Sequence, residues 1–592
     1  MTKTRWILMN KKADFAGLGR KLGLDPLTVR LMVNRGADTE EAIRAFLSDD
    51  LSGLHDPALM KDAERAAGII ADLAREGGSA AIASDFDCDG IFSGFILEES
   101  LQRLGIRTRV LTPDRISEGY GLNSRIADDA LAFGAGLLLT CDNGISAGAA
   151  VSYARSLGLR VIVTDHHEVP RGEEDGEERE ILPEADAVVD PKQAGCAYPY
   201  KDICGAAVAW KLMRLVWRVL GRDESQLDDL IPFAAIATVA DVMELRDENR
   251  LLVRRGLQML PHTANEGMKA LISACGLEGR RLTSYHLGFI LGPCFNAAGR
   301  LETVEAAREL LHASSATEAL VLAERLRELN ETRKSMTERG TAAAEECIRL
   351  EGREEDSVLV LYVPQCHESV AGIVAGRIRE RHGRPAMILT GEGEICKGSA
   401  RSIEAYNVFE ALLACSERQL RFGGHPMAAG FSLKKDEISA FRAQILSNSR
   451  LTDEDFCPII RIDAAMPPEY VTEKLVREFE LLEPFGKGNE RPLFARNDLI
   501  LTEVRVLGQN RNAVRLRFRS ENGGAFEGIW FGSAAELEQR ITQACGSKAF
   551  TALERRQRPI RVSLSYVPVL HEYAGKTSIQ FNVQEIVPKT VS

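Results

Sequence analysis

Ala80-Ala81-Ile82-Ala83-Ser84-Asp85-Phe86-Asp87-Cys88-Asp89-Gly90 is the stretch that decides the fold. A short β-type run of small and apolar residues stops at alternating acids and a glycine. Three later runs behave alike: Leu137-Leu138-Leu139-Thr140-Cys141 ends at Asp142, Val161-Ile162-Val163-Thr164 at Asp165-His166-His167, and Ala187-Val188-Val189 at Asp190. Strand-like runs alternating with helical ones from about Ser79 to Asp190 predict βαβ units and a parallel sheet. Such sheets bind ligands beyond the carboxyl ends of their strands, where these acids stand. Gathered carboxylates repel one another, so burying them together requires a cation. The pattern reads as a metal site, and as a two-metal one.

Two plainer readings compete. Asp85-x-Asp87-x-Asp89-Gly90 opens like an EF-hand calcium loop, but Ile96 stands where that loop needs its bidentate Glu, and the preceding run is strand-like rather than helical. An acidic turn capping the next helix is the other; the further acid-tipped runs argue against it. Asp165-His166-His167 adds the N and O donors usual for Mn²⁺, Mg²⁺ or Zn²⁺, although a His pair after a strand is, taken alone, more often a loop feature. Asp241 follows a further apolar run, Phe233 to Ala240. A carboxylate bridging two metals about 4 Å apart would explain the convergence, and Asp142 is the candidate bridge.

At 592 residues the chain is long enough for about three or four domains. It has no apolar stretch of membrane-spanning length, and Met1-Thr2-Lys3-Thr4-Arg5-Trp6 is too polar for a signal peptide, so a cytoplasmic location is expected. The twelve cysteines form no C-x-x-C pair, which disfavours zinc ribbons and redox motifs. Cys88 and Cys141 are taken as packing residues beside an oxygen-rich donor set. A net charge of −12 argues against a general nucleic-acid coat protein but leaves room for a local basic channel. Glu173-Glu174-Asp175 and Glu177-Glu178 read as a solvated loop.

Residues 1–60 read as an N-terminal helical region, 61–312 as the acid-bearing domain, 313–352 as a long connecting helix, 353–455 as a second α/β domain, and 456–592 as a small β-barrel. The helix is marked by the capping box of Ser315 and Glu318, the stripe Ala319, Leu322, Ala323 and Leu326, and a stop at Gly352. In the second α/β domain, Lys397, Ser399 and Arg401 offer two cations and a hydroxyl for a phosphate. His425, in Gly423-Gly424-His425, can approach a phosphate closely or simply close a tight turn. Arg115 and Tyr120 offer a phosphate contact and a stacking ring. Surface salt bridges or core packing are the competing roles for each. Arg515, Arg517 and Phe518 are candidates for a strand grip on the barrel.

These motifs, in this order, resemble the DHH phosphoesterase superfamily, and within it the RecJ branch of single-strand-specific exonucleases. The resemblance covers nearly the whole chain. It rests on Asp85-Phe86-Asp87-Cys88-Asp89-Gly90, Cys141-Asp142-Asn143-Gly144, Asp165-His166-His167, Cys204-Gly205-Ala206-Ala207, Thr238-Val239-Ala240-Asp241, Asn296-Ala297-Ala298-Gly299-Arg300, His367-Glu368-Ser369-Val370, Lys397-Gly398-Ser399-Ala400-Arg401, Gly423-Gly424-His425 and Leu482-Glu483-Pro484-Phe485-Gly486. It implies an α/β fold class: a parallel-sheet DHH core, a long connecting helix, a DHH-associated α/β domain and a C-terminal OB-like β-barrel. It also implies a hydrolase using two Mn²⁺ or Mg²⁺ ions to remove nucleotides from the 5′ end of single-stranded DNA in repair and recombination, beside a helicase and a single-strand-binding protein, with no membrane.

Carried over by motif, the metal shell would be Asp85, Asp87, Asp89, Asp142, His166 and Asp241. His167 would act beside it or directly in catalysis with Asp142 and His166. Asn296 and Arg300 would join Arg115, Tyr120, Lys397, Ser399, Arg401 and His425 on the substrate. Three residues depart from the family pattern. Ala83 replaces a frequent His, which would leave one metal with fewer protein ligands. Cys294 replaces an Arg, which would remove a phosphate contact. Cys366 precedes His367 where many relatives have Trp. Two alternative functions stand beside the exonuclease: a DHH phosphodiesterase acting on short oligonucleotides or cyclic dinucleotides, and a catalytically decayed replication scaffold.

Overall fold

The computed structural model describes residues 4–589, apart from 116–117, 175–176, 510, 521–522 and 574–575. The chain forms two compact units, one built from Leu54–Glu244 and Glu248–Pro458, the other from Thr4–Gly53, Leu245–Asp247 and the segment from Ile459 onward.

The first unit contains two sheets. The N-terminal one is entirely parallel, with strands β1 (Ser79–Ser84), β2 (Arg107–Leu111), β3 (Leu137–Cys141), β4 (Arg160–Thr164) and β5 (Ala187–Val189) in the order β2-β1-β3-β4-β5. Strand order reverses between β1 and β3, so their carboxyl ends open onto a crevice, the usual ligand position of doubly wound sheets. β1 delivers Asp85, Asp87 and Asp89 to that crevice, and β3 delivers Asp142. Both faces are covered, one by the cluster containing Ile126, Leu138, Val151 and Val163, the other by Phe92, Phe95, Phe233 and Phe295, whose rings pack on one another. Burial on both faces explains why these strands are apolar throughout rather than alternating.

Helices α1 (Cys88–Arg103), α2 (Gly205–Val219), α3 (Ile231–Ala240) and α4 (Gly292–Leu301) pack around this sheet. Helix α5 (Ala316–Glu351) is 36 residues long, is capped by Ser315 and ends at left-handed Gly352, as its sequence signals predict. It is more than a spacer. Ala319, Ala323, Leu326, Thr337, Ala344 and Ile348 are all buried, so the two α/β parts share it as a wall. The second sheet, with β6 (Leu359–Tyr362), β7 (Ala386–Thr390), β8 (Ile395–Arg401), β9 (Gln419–His425) and β10 (Ala428–Lys434), has the order β9-β10-β8-β7-β6; only β6 and β7 run parallel. Helix α6 (Glu368–His382) packs on it.

In the second unit, β11 (Phe494–Leu507), β12 (Ala513–Arg519), β13 (Ala525–Phe531), β14 (Ile560–Tyr573) and β15 (Lys576–Pro588) pair in a ring, closed by β11 on β14. The N-terminal segment belongs to this barrel. Val29, Leu31, Met32 and Ile43 share one core with Leu501, Leu516 and Trp530. Arg5–Leu8 is a strand, paired in parallel with Ile459–Ile462, rather than part of a helical region. Its partner lies so far along the chain that no local pattern could announce it. Residues 171–174 and 177–180 likewise form an antiparallel hairpin instead of a loop; Asp175 lies outside the described residues.

Candidate metal centre

The β1 acids are held in place by their own backbone. Asp87 caps α1, accepting from the Gly90 N–H at 3.1 Å. Gly90 packs so tightly that a Cβ there would lie 2.5 Å from the Asp85 carbonyl oxygen. Asp89 bridges to α2: its carboxylate accepts from the N–H groups of Gly205 at 2.7 Å and Ala206 at 2.8 Å, binding an otherwise uncapped helix start. Asp142, after β3, has φ of 59°, a left-handed conformation unusual for a residue other than Gly. Two contacts hold it there. The Tyr120 hydroxyl donates to its carbonyl oxygen at 2.5 Å, and Gly205 allows close approach, since a Cβ would sit 2.8 Å from that of Asp142. Asp241 ends α3.

Three overlapping donor groups result: Asp85, Asp87 and Asp142; Asp142, His166 and His167; and Asp89, His166 and Asp241, the ligand atoms within each lying within 4.8 Å of one another. Asp142 and His166 each belong to two groups, the arrangement required to join adjacent ions. His166 Nε2 stands 3.0 Å from Asp142, 3.5 Å from Asp89 and 3.8 Å from Asp241.

The electrostatics are those of a cation site. Burial and then neighbouring acids push Asp85, Asp142 and Asp241 well above the usual carboxylate range, and Asp89 up to about 6. Asp85 Oδ1 and His166 Nδ1 are buried without a hydrogen-bond partner, which a bound ion would help to explain for the carboxylate. Burial and the charge on His167 lower His166 to about 3, so it is a neutral donor at pH 7. An oxygen-rich set with one neutral imidazole fits Mn²⁺ or Mg²⁺.

His167 behaves in the opposite way. Burial is the largest single influence and disfavours its charge, but its hydrogen bond to Asp165 and the negative charges of Asp165, Asp241 and Asp89 together outweigh burial and raise it to about 9. Asp165 accepts from His167 Nδ1 at 2.7 Å and from the backbone N–H groups of His166 at 2.8 Å and Ile145 at 3.0 Å. Burial pushes Asp165 up, yet these bonds hold it below the usual range. Asp165 thus organises both histidines. It is the acid that motif reading left without a role, although its place at the head of the His pair was a signal. Asp165→Asn is expected to drop His167 from about 9 toward 6.5, measurable by NMR titration of the imidazole.

The substrate candidates divide. Arg115, Tyr120, Lys397 and Ser399 line one cavity of about 580 Å³, together with Arg421 and Phe422, which sequence reasoning missed. Arg115 stacks over Phe86, between two of the acids, at 4.7 Å, and Lys397 pairs with Glu368 at 2.8 Å. Arg300 donates to the Ser369 carbonyl at 3.0 Å; burial and its neighbour Arg115 lower it to about 10. Arg401 packs against Gly372 on α6, near Arg379, and does not line the cavity. His425 is exposed at the tip of the β9–β10 hairpin, also off the lining. Asn296 accepts from the Cys88 N–H at 2.9 Å, bracing the start of α1. Cys294 is buried, receives Asn330 Nδ2 and presents no charge. On the barrel, Phe518 is core, stacked on Phe526, and Arg517 is paired with Glu527 and Glu503. Neither offers a free strand grip, because Phe518 faces the core and the strand pairing places Glu527 and Glu503 opposite Arg517.

Residues 79–239 match the DHH family N-terminal domain, 355–448 the DHHA1 domain and 462–585 the RecJ OB domain. The single-stranded-DNA-specific exonuclease RecJ of Escherichia coli K12 is 33% identical over 600 aligned positions, spanning 95% of this chain and 96% of that protein. The chain belongs to the RecJ family. The Bacillus subtilis RecJ is 36% identical across 88% of this chain, and the match spans 65% of its own length. The crystal structure of Thermus thermophilus RecJ in complex with Mn²⁺ superposes with a TM-score of 0.81 at 26% identity, over 99% of this chain and 79% of that one. RecJ membership accounts for the order of DHH core, shared helix, DHHA1 sheet and OB ring. Among the described residues no helix is long and apolar enough to cross a membrane.

Proposed function

We infer that this chain is a two-metal 5′-to-3′ exonuclease that hydrolyses single-stranded DNA. The observation that carries this reading is the convergence of Asp85, Asp87, Asp142, His166 and Asp241 at the β1/β3 crevice, in groups sharing Asp142 and His166. The donor set fits Mn²⁺ or Mg²⁺, which when bound would polarise the scissile phosphate and acidify a water beside it. Asp142 would be shared between the two positions, with Asp85 and Asp87 available to hold one ion and His166 and Asp241 the other. Asp89 stands in the group with His166 and Asp241, but its hydrogen bonds to α2 make it a brace for the site. His167, cationic and oriented by Asp165, is placed to protonate the departing 3′ oxygen. Asn296 positions α1 rather than touching DNA, and the burial of Cys294 leaves 5′-end recognition to the cationic cavity.

That cavity has room for about one nucleotide, and Arg115, Lys397, Ser399 and Arg421 supply the charge and hydroxyl that a terminal phosphate needs. Arg300, Arg401 and Arg379 extend the positive path, and His425 stays outside it. The domain limits that go with this reading are 1–60, 61–312, 313–352, 353–455 and 456–592, the first cooperating with the last. The free cysteines suit a cytoplasmic enzyme of repair and recombination, supplied with single strand by a helicase and a single-strand-binding protein.

Digestion of 5′- and 3′-labelled single strands and duplexes with Mn²⁺ tests substrate, polarity and activity together. Loss of label from the 5′ end of single strands alone is expected; equal attack on duplex, or release from the 3′ end, refutes the reading. Preference for di- and trinucleotides would favour a short-oligonucleotide hydrolase, and absence of cleavage a scaffold. Arg115→Ala is expected to lower kcat/KM on 5′-phosphorylated strands about tenfold, with a smaller loss on 5′-hydroxyl strands. The check is a paired kinetic comparison of the two ends.

A further inference from the structure

Tyr285 and Phe289 are large rings left in the open, 58% and 68% exposed, stacked on each other with centroids 5.1 Å apart and planes 20° from parallel. Tyr285 precedes and Phe289 lies within a π-helical turn, Leu287–Leu291, a wide turn that recurs at functional sites. Leu287 and Leu291 are buried and anchor it, so Phe289 is pushed outward. The turn is seated on the last turn of α3. A Cβ on Gly288 would lie 3.0 Å from Val239, and one on Gly292 would lie 3.1 Å from Ala240. The next residue is Asp241, of the metal centre. Exposed Arg280 lies close enough for its charge to act on His286, beside Tyr285.

The donor groups run in order from Asp85 and Asp87, through Asp142, to His166 and Asp241. The cavity meets the acids at Arg115, which stacks on Phe86 at the Asp85–Asp87 end, and at Tyr120, which reaches Asp142. The stacked rings are mounted at the other end. A strand with its 5′ nucleotide in the cavity and its scissile phosphate at the acids therefore continues past Asp241. A covalently tethered base arrives there at high effective concentration. Flat, exposed, stacked rings suit the face of a base, with no sequence preference.

Resting on the nuclease reading, we propose that Tyr285 and Phe289 form a base-stacking platform for the nucleotides on the 3′ side of the scissile phosphate. The platform holds the strand between cleavages and sets a minimum substrate length.

The test is the double variant Tyr285→Ala/Phe289→Ala in the full chain, assayed on an oligothymidylate about sixteen nucleotides long and on a dinucleotide too short to reach the rings. Affinity for the long strand in chelator is expected to fall about tenfold or more, while dinucleotide turnover stays within about twofold. Unchanged affinity overturns the platform, and so does an equal loss on both substrates. Phe289→Trp supplies a direct reading: oligothymidylate should quench its fluorescence, and an unquenched tryptophan counts against stacking even if the double variant folds poorly. Wild-type protein that cleaves neither substrate would sink the nuclease reading itself. Wild-type cleavage with an indifferent double variant would sink only the platform.

Discussion

Asp142→Asn is expected to lower hydrolysis of single-stranded DNA on the order of 10⁴-fold, equivalent to about 5 kcal/mol of transition-state stabilisation. Asparagine keeps the side chain's size beside His166 Nε2, but removes the one charge common to two donor groups. Both metal positions weaken together, which no other single acid in the cluster would cause. His166→Ala should act comparably, since His166 also belongs to two groups. Single-strand binding in chelator should survive, because the cationic cavity beside the acids is lined by none of the cluster's carboxylates. Stability gives a second reading with a counterintuitive sign. Burial and the neighbouring acids hold Asp142 well above its usual range, so removing its charge relieves repulsion and the metal-free variant should melt no lower than wild type. Retained turnover with Mn²⁺, or a collapse in melting temperature, would refute the bridging assignment.

The second large effect is on stability against pH. Asp190 is buried, its Oδ2 lacks a partner, and burial raises it from 3.8 to about 8. Asp85, Asp142 and Asp241 are raised in the same direction. A raised carboxyl contributes stability that is complete below its unfolded value and is lost as pH climbs through the folded one. His167, raised to about 9, loses its contribution in the same direction. His166 works the other way, since it is lowered to about 3, but its effect lies below pH 6.5. Metal-free protein should therefore lose stability between pH 6.5 and 8, with Asp190 alone accounting for about 2 kcal/mol. Divalent ions compete with those protons. Mn²⁺ should raise the melting temperature by about 2–5 °C at pH 8, and by less at pH 6.5. Scanning fluorimetry in chelator and in Mn²⁺ at both pH values decides. Stability rising with pH in chelator would mean that the acids are not crowded as described.

Much of the centre is legible from local pattern because strand and acid are adjacent in the chain. β1 and β3 each carry their acids at their own ends, and the alternation of runs already implies a parallel sheet. The long helix is equally readable, since its cap, stripe and stop are all local. The cationic cavity is only half legible. Lys397 and Ser399 alternate along one strand and Arg115 lies near the acids, but Arg421 and Phe422 join them only through the pairing of β9 with β10. Arg401 continues the alternation yet turns against Gly372. His425 lies beyond the lining because the hairpin carries it out. Phe518 and Arg517 show the same limit on the barrel, where cross-strand glutamates neutralise what the strand's own pattern displays.

The sequence by itself determined the fold class, the metal-binding character and the family, because each follows from residue types at fixed short spacings. Tertiary structure alone decided which acids lie within reach of a common ion, that Asp89 braces α2, that Asp165 governs the two histidines, and that residues 4–53 complete the barrel core. It also seated the turn that carries Phe289 on the last turn of α3, ahead of Asp241. The reason is physical: a carboxylate's role depends on which charges and N–H groups lie within a few ångströms, and those neighbours come from chain segments tens to hundreds of residues away.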